Sequence, residues 1–140
     1  EAELRRWHEG GAIEWLGFRD DVADLFAANH IAVLPSYREG LPKVLLEAMA
    51  AGRPIVTTDV VGCRDTVEHG GNGLLVPPRD AAALADAIER LGRDADLRRA
   101  MGAKGRRRAE TEFAAPIVDR QTLELYDRLT GGTRGPSTKA

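Results

Sequence analysis

Residues 36 to 52 read Ser-Tyr-Arg-Glu-Gly-Leu-Pro-Lys-Val-Leu-Leu-Glu-Ala-Met-Ala-Ala-Gly, and no other stretch constrains the fold as much. The apolar run His30-Ile-Ala-Val-Leu-Pro35 leads into it and reads as a short buried strand. Pro42 suits the first position of a helix and Gly52 its C-terminal stop. Between them Val44, Leu45, Ala48, Met49 and Ala51 form an apolar face at helical spacing. The unit is strand, loop, helix.

The start of that helix carries the first functional signal. With Pro42 at N1 the N-cap is Leu41, whose side chain accepts no backbone hydrogen bond. The N–H groups of Lys43 and Val44 are then free, and Lys43 puts a cation where the helix dipole disfavours one. Free amides, a lysine and the close backbone approach that Gly40 allows make an anion site. Glu39 precedes it, and Glu47 lies five residues past Pro42, roughly 7.5 Å along the axis at ~1.5 Å per residue. Carboxylates on both sides of a phosphate match a ligand laid out as hydroxyls, phosphates, hydroxyls, which is the layout of a sugar–diphosphate–nucleoside. A plainer reading stands beside this one: Glu39 folds back as a cap, and Lys43 and Glu47 form an i,i+4 surface pair.

The rest of the chain repeats the strand–helix alternation. Residues 1 to 9 read as the end of a helix, Ala12 to Leu16 as a short strand closed by Gly17, and the segment from Asp20 or Asp21 to Ala28 as a helix with Val22, Leu25 and Phe26 inward. Pro54 to Thr58 is a buried strand, Arg64 to His69 a short helix and Gly73 to Val76 a strand. Asp80 caps a helix to about Leu91, with Leu84, Ala87, Ile88 and Leu91 inward; Asp96 caps the next, from Leu97 to about Glu112; Pro116 opens the last, through Leu129. Residues 130 to 140, rich in Gly, Thr and Lys, read as a disordered tail after a domain spanning 1–129. Alternating strands and helices imply an α/β fold, a Rossmann-like three-layer parallel sheet with flanking helices. Ligands of such sheets sit beyond the C-terminal strand ends, which is where the loops 17–19, 36–41 and 59–62 lie.

Composition narrows the function classes. At 140 residues the chain is one domain, and 43% hydrophobic content supports a core. A net charge of −2 gives no argument for nucleic acid. The single cysteine, Cys63, precludes an internal disulfide, fits a reducing compartment and reads as packing. No apolar run is long enough for a membrane span, and the first residues do not read as a signal peptide. A chain that does not open on Met is expected to be part of a longer one. His8, His30 and His69 lack metal-ligand spacing, and Asp94-Ala-Asp96 sits at a helix start, where capping is its reading. Arg106 to Arg108 read as a solvated helix face, with an anionic membrane surface as the functional alternative.

The segment Glu39-Gly-Leu-Pro-Lys-Val-Leu-Leu-Glu47-Ala-Met-Ala-Ala-Gly-Arg-Pro-Ile-Val56 resembles the E-x7-E signature of the family 4 retaining glycosyltransferases, which have the GT-B fold. Trp15-Leu-Gly-Phe-Arg-Asp-Asp-Val-Ala-Asp-Leu-Phe26 upstream, and Thr58 to Gly70 and Asn72 to Asp80 downstream, are similar to flanking segments of that family, so the resemblance runs from residue 1 to about 128. It implies that the chain is the partial C-terminal half of a GT-B enzyme, the donor-binding domain of a hexosyl- or N-acetylhexosaminyltransferase. Glu39 is then the catalytic residue, meeting the sugar hydroxyls; the backbone of Gly40, Leu41, Lys43 and Val44 holds sugar and diphosphate; Glu47 binds the ribose; and Phe18 and Arg19 seat the base. The family implies no metal and no cofactor beyond the nucleotide-sugar substrate. It implies a glycan or polyprenyl-diphosphate-linked acceptor, work on bacterial surface polysaccharide, and a cytoplasmic location at the inner face of the membrane with peripheral contact.

The resemblance further implies that the family's N-terminal domain, and two strands that lie between those at 12–16 and 31–35, precede residue 1. The expectation is that the chain closes the gap by a non-native pairing or leaves an open strand edge and self-associates, and that it is inactive alone. Two other classes compete with the transferase: a non-catalytic phosphate- or nucleotide-binding Rossmann module, and an epimerase or phosphorylase of the same fold.

Overall fold

The structure is a computed structural model, and it describes residues 1–129. The elements run α1 (Ala2–Glu9), α2 (Val22–Ala28), β1 (Ala32–Leu34), α3 (Lys43–Ala50), β2 (Ile55–Thr58), α4 (Val61–Thr66), β3 (Gly73–Val76), α5 (Ala81–Arg93), α6 (Ala95–Glu112) and α7 (Ala115–Leu129). The three strands form one parallel sheet in the order β1-β2-β3, with Ala32 beside Ile55 and Ile55 beside Gly73. All four residues of β2 are buried. Ile55 joins Leu45, Ala48, Met49, Cys63 and Val67 on one face, and Val56 joins Leu74, Val76, Ala87, Leu91 and Met101 on the other. The sheet is thus covered by α3 and α4 on one side and by α5 and the start of α6 on the other, the three-layer arrangement expected of a strand apolar on both faces.

Ala12 to Leu16 does not form a strand. The Ala12 and Ile13 amides donate to the Trp7 carbonyl (2.9 and 3.4 Å), and the Trp15 amide donates to His8 Nδ1 (3.2 Å), so the segment wraps back on the end of α1. A strand needs a neighbour, and among the described residues none lies between this segment and β1. The gap is not closed by a substitute pairing: β1 is an edge, with Val33 42% exposed.

Helix starts also differ from the sequence reading. Pro42 is the N-cap of α3 rather than N1: its ψ of 107° is extended, and its carbonyl accepts from the Leu45 and Leu46 amides (3.0 and 3.4 Å). Val44 is 39% exposed and leaves the apolar face to Leu45, Ala48 and Met49. Helix α4 spans Val61–Thr66, not 64–69, because buried Asn72 takes over the chain beyond it. The Asn72 side chain donates to the Thr66 carbonyl (3.1 Å) and accepts from the Glu68 amide (2.8 Å), which ends the helix there. Asp80 caps α5 as read, accepting from the Ala83 amide at 2.9 Å. Helix α6 starts at Ala95 under Asp94, not at Leu97 under Asp96; Asp94 Oδ1 accepts from the Leu97 amide at 2.8 Å. Asp94 therefore separates α5 from α6 by itself. Asp94→Ala is expected to cost about 1 kcal/mol in chemical denaturation, the worth of an N-cap, whereas Asp96→Ala loses only an exposed pair with Arg99 and stays within about 0.5 kcal/mol.

Arg106 to Arg108 are not simply solvated. Arg106 pairs with Glu110 (2.5 Å) and donates to the Ala50 carbonyl at the end of α3. Arg108 pairs with Glu112 (2.7 Å) and donates to the Thr66 carbonyl at the end of α4 (2.9 Å). Two of the three arginines thereby tie α6 to the C-terminal ends of α3 and α4, where cations suit the helix dipoles. The tail at 130–140 lies outside the described residues. No helix among the described residues is long and apolar enough to cross a membrane.

Candidate functional site

The loop after β1 is fixed from β2. The two threonines that end β2 are buried, and their hydroxyls face β1. Thr57 donates to the Leu34 carbonyl (2.7 Å) and Thr58 donates to the Ser36 carbonyl. Ser36 Oγ in turn donates to Glu39 Oε1 at 2.5 Å. The Glu39 carboxylate is held by this chain of hydrogen bonds and does not cap α3, which has no side-chain cap.

Helix α4 supports the same loop from below. A Cβ added at Gly62 would lie 1.7 Å from the Gly40 carbonyl oxygen and 2.8 Å from that of Glu39, so the backbone of 39–40 rests directly on the backbone of α4. Glu39 lines a hollow of about 350 Å³ with Tyr37, Arg38, Asp59, Val60 and Arg64. Arg64 pairs with Asp59 across its floor at 2.5 Å. Tyr37 also belongs to a cleft of about 390 Å³ bounded by Pro35, Thr58, Val76, Pro77 and Leu84, where the Arg79 guanidinium stands 5.5 Å from the Tyr37 ring centroid. Both cavities open at the C-terminal ends of the strands, the edge anticipated from the alternation of elements.

The first turn of α3 has the free donors that the sequence implied: among the described residues the Lys43 and Val44 amides make no hydrogen bond. Gly40 and Leu41 are exposed, so the backbone leading into the turn is open to solvent. Lys43 Nζ lies 3.3 Å from Glu47 Oε1, the i,i+4 pair of the plainer reading. Glu47 lines the groove between α3 and α6 with Lys43, Leu46, Arg106, Glu110 and Phe113. Glu39 and Glu47 share no cavity, and the first turn of α3 lies between them in the chain. Phe18 is 96% exposed. Arg19 is engaged by Asp21, its Nε 2.6 Å from Oδ1. That hydrogen bond raises the Arg19 pKa and lowers that of Asp21. Neither Phe18 nor Arg19 lines a cavity with Glu39 or Glu47.

Sequence reasoning missed Ser36, Thr57, Thr58, Gly62 and the Tyr37–Arg79 pair. A polar pair at the end of an otherwise apolar strand was the available signal for the threonines, since buried hydroxyls need acceptors. Cys63 packs as expected: it is fully buried, 3.1 Å from Thr57 Oγ1, and burial pushes its thiol pKa up. Among the described residues no three His, Cys, Asp or Glu side chains gather as metal ligands.

Comparison with known proteins identifies the frame in which this edge sits. The chain is 36% identical over 119 residues to the N,N'-diacetylbacillosaminyl-diphospho-undecaprenol alpha-1,3-N-acetylgalactosaminyltransferase of Campylobacter jejuni, covering 85% of this chain and 31% of that protein. It is 40% identical over 131 residues to an exopolysaccharide phosphotransferase of Streptomyces coelicolor, covering 92% of this chain and 14% of that one. It spans, then, less than a third of the length of either relative. The structure superposes on Anabaena HepE in complex with UDP with a TM-score of 0.84 at 27% identity, covering 91% of this chain and 36% of that chain. Its structural neighbours are GT-B glycosyltransferases, in keeping with the α/β layers read from the sequence. The model of the family described as glycosyl transferases group 1 matches residues 1–94, more than half of the sequence, and the chain belongs to that family.

Proposed function

We propose that this chain supplies the donor half of a family 4 retaining glycosyltransferase, which moves a hexosyl or N-acetylhexosaminyl group from a nucleotide sugar to a glycan or polyprenyl-diphosphate-linked acceptor in bacterial surface polysaccharide synthesis. The observation that carries this reading is the start of α3. Two unpaired amides, Lys43 and Val44, follow exposed Gly40 and Leu41 and stand in the chain between Glu39 and Glu47. Such a turn receives a diphosphate through its N–H groups and positive dipole end, and the departing diphosphate gains the same stabilisation as its charge develops. Glu39, held by Ser36, accepts hydrogen bonds from the sugar hydroxyls; Glu47 accepts those of the ribose once Lys43 turns to the phosphates. Phe18 offers an open aromatic face to the base. The likeness to HepE, solved with UDP, supports a uridine nucleotide as donor. The Campylobacter relative is named for an undecaprenol-linked acceptor, which supports the lipid-linked class and work at the inner face of the cytoplasmic membrane. No metal enters the chemistry, and the acceptor site and the remaining catalytic groups come from the N-terminal domain of the full-length protein.

Calorimetric titration of the full-length protein with UDP, ADP and GDP tests the reading. UDP is expected to bind best, and Glu47→Ala to weaken it about tenfold or more, the loss of hydrogen bonds to a charged acceptor. Glu39→Gln is expected to leave UDP affinity within about twofold and to lower transfer about a hundredfold or more, because it removes an interaction made with the sugar. Affinity indifferent to Glu47 would instead favour the non-catalytic phosphate-binding module.

A further inference from the structure

The opposite edge of the sheet carries a second concentration of charge. His30 and Pro54, just ahead of β1 and β2, line a pocket of about 240 Å³ with Arg53, Ala95, Arg98 and Arg99. The Glu39 loop leaves from the other end of these strands, while Arg53 also borders a groove with Glu47.

The arginines of this pocket are unequally satisfied. Arg99 pairs with Asp96, and both side chains are exposed. Arg98 directs one guanidinium nitrogen at the Leu91 and Gly92 carbonyls (2.6 and 2.7 Å) and, among the described residues, forms no ion pair and uses no other donor. Arg53 donates to the Ala27 carbonyl at 3.2 Å and also forms no ion pair. Its Nε is the one buried side-chain nitrogen or oxygen among the described residues without a hydrogen-bond partner. A buried guanidinium N–H is a strong donor that costs free energy when left unpaired, and an anion or ordered water is the usual explanation for such a group. The nearby carboxylates do not cancel the excess: Asp96 is taken by Arg99, and Asp94 spends Oδ1 on the α6 cap. The cavity is too small for a nucleotide sugar, since sites for drug-sized ligands start at ~300 Å³, but it suits a tetrahedral oxyanion, and arginine forks match phosphate oxygens in geometry.

We infer that the pocket formed by His30, Arg53, Arg98 and Arg99 binds a phosphate group, as a free phosphate or as the headgroup phosphate of an anionic lipid. It uses neither Glu39 nor Glu47 and does not rest on the proposed donor role, although Arg53 also lines the neighbouring groove beside Glu47. A lipid source would hold the strand edge opposite the donor site against a membrane.

Inorganic phosphate is titrated into the 140-residue chain at constant ionic strength, with amide NMR shifts as the readout and UDP titrated separately as a check on the donor site. Saturable shifts confined to residues around 30, 52–54 and 95–99 are expected, and Arg53→Gln is expected to weaken the apparent Kd about tenfold, as removal of a charge-assisted donor does. Because Arg53 also holds the Ala27 carbonyl, Arg99→Gln serves as the variant that keeps the fold; its exposed side chain predicts a weakening of about threefold. Co-sedimentation with phosphatidylcholine vesicles, with and without phosphatidylglycerol, separates the sources. Binding only to anionic vesicles, reversed by phosphate and weakened by either variant, assigns a lipid headgroup; saturable phosphate binding without vesicle binding assigns a soluble phosphate. Shifts that fail to saturate, that spread over all surface arginines, or that persist unchanged in both variants overturn the inference.

Discussion

Gly62→Ala is expected to abolish nucleoside diphosphate binding and to lower transfer by the full-length enzyme about a hundredfold or more, while the sheet and its flanking helices stay folded. The new Cβ would sit 1.7 Å from the Gly40 oxygen, 2.5 Å from the Gly40 carbonyl carbon and 2.8 Å from the Glu39 oxygen, all backbone atoms with no rotamer to change. One partner must move by more than an ångström. Gly62 is buried on α4 beside Cys63, Thr66 and Val67, whereas Gly40 is exposed on a loop whose hydrogen bonds run through Ser36. The loop therefore yields, taking Glu39 and the approach to the α3 amides with it. Misplacement of about 1 Å costs on the order of a hundredfold in rate. Gly62 lies in a helix without positive φ, so alanine introduces no backbone strain and the effect is steric. Gly40→Ala is the control for loop damage: its Cβ meets nothing within 4 Å, so the fold and the loop position are kept, and any lost affinity there reports the approach of the ligand itself. UDP affinity in Gly62→Ala equal to that of the unaltered protein would show that the 39–40 peptide does not form the donor site.

That prediction could not have been written from the sequence, and the reason is physical. The strand–loop–helix at 30–52, the doubly buried β2 and the Asp80 cap were legible because each is decided by residues a few positions apart. The same local logic found the Lys43 and Val44 amides without partners at the start of α3, between Glu39 and Glu47 in the chain. It failed where a distant partner decides. Ala12 to Leu16 has a strand's composition but, among the described residues, no strand to pair with, so its amides turn to α1. Helix α4 ends where Asn72 claims the chain, and α6 begins at Ala95 under Asp94 because α5 runs to Arg93. The contact of Gly62 with Gly40, and the stacking of Arg79 on Tyr37 from a left-handed φ of 66°, join segments whose approach only the folded sheet defines. No residue spacing encodes them. An arginine at positive φ is also the reverse of what a sequence reader expects, since that region favours glycine.

Gly102→Ala is expected to destabilise strongly for a glycine-to-alanine change, costing about 2–3 kcal/mol net and lowering Tm by about 10 °C in a domain of this size. The contact responsible again lies between two backbones. A Cβ at Gly102 would stand 2.1 Å from the Gly52 oxygen and 3.0 Å from its carbonyl carbon. Gly52 sits just past α3 at φ 67°, the left-handed conformation that ends the helix, and this turn fixes its carbonyl against α6. Relief requires α3 and α6 to separate, and that seam is filled: a Cβ added at Gly105 would already stand 3.6 Å from Met49, and Met101, one residue from Gly102, is buried between α6 and the β3–α5 face. Separation would open space beside both methionines, adding a cavity term to the clash. Against this stands the gain of about 1 kcal/mol that alanine brings over glycine inside a helix. Gly92→Ala isolates that gain, because it lies in α5 with nothing within 4 Å of its Cβ, and its Tm is expected to rise by a few degrees. The two substitutions are chemically identical and differ only in what the methyl group meets, so their melting shifts should have opposite signs. A rise in Tm for Gly102→Ala matching that of Gly92→Ala would mean that α3 and α6 do not pack backbone to backbone. The seam matters beyond stability, because α3 carries the free amides at its start and Glu47 in its second turn, and the packing against α6 fixes where both are presented.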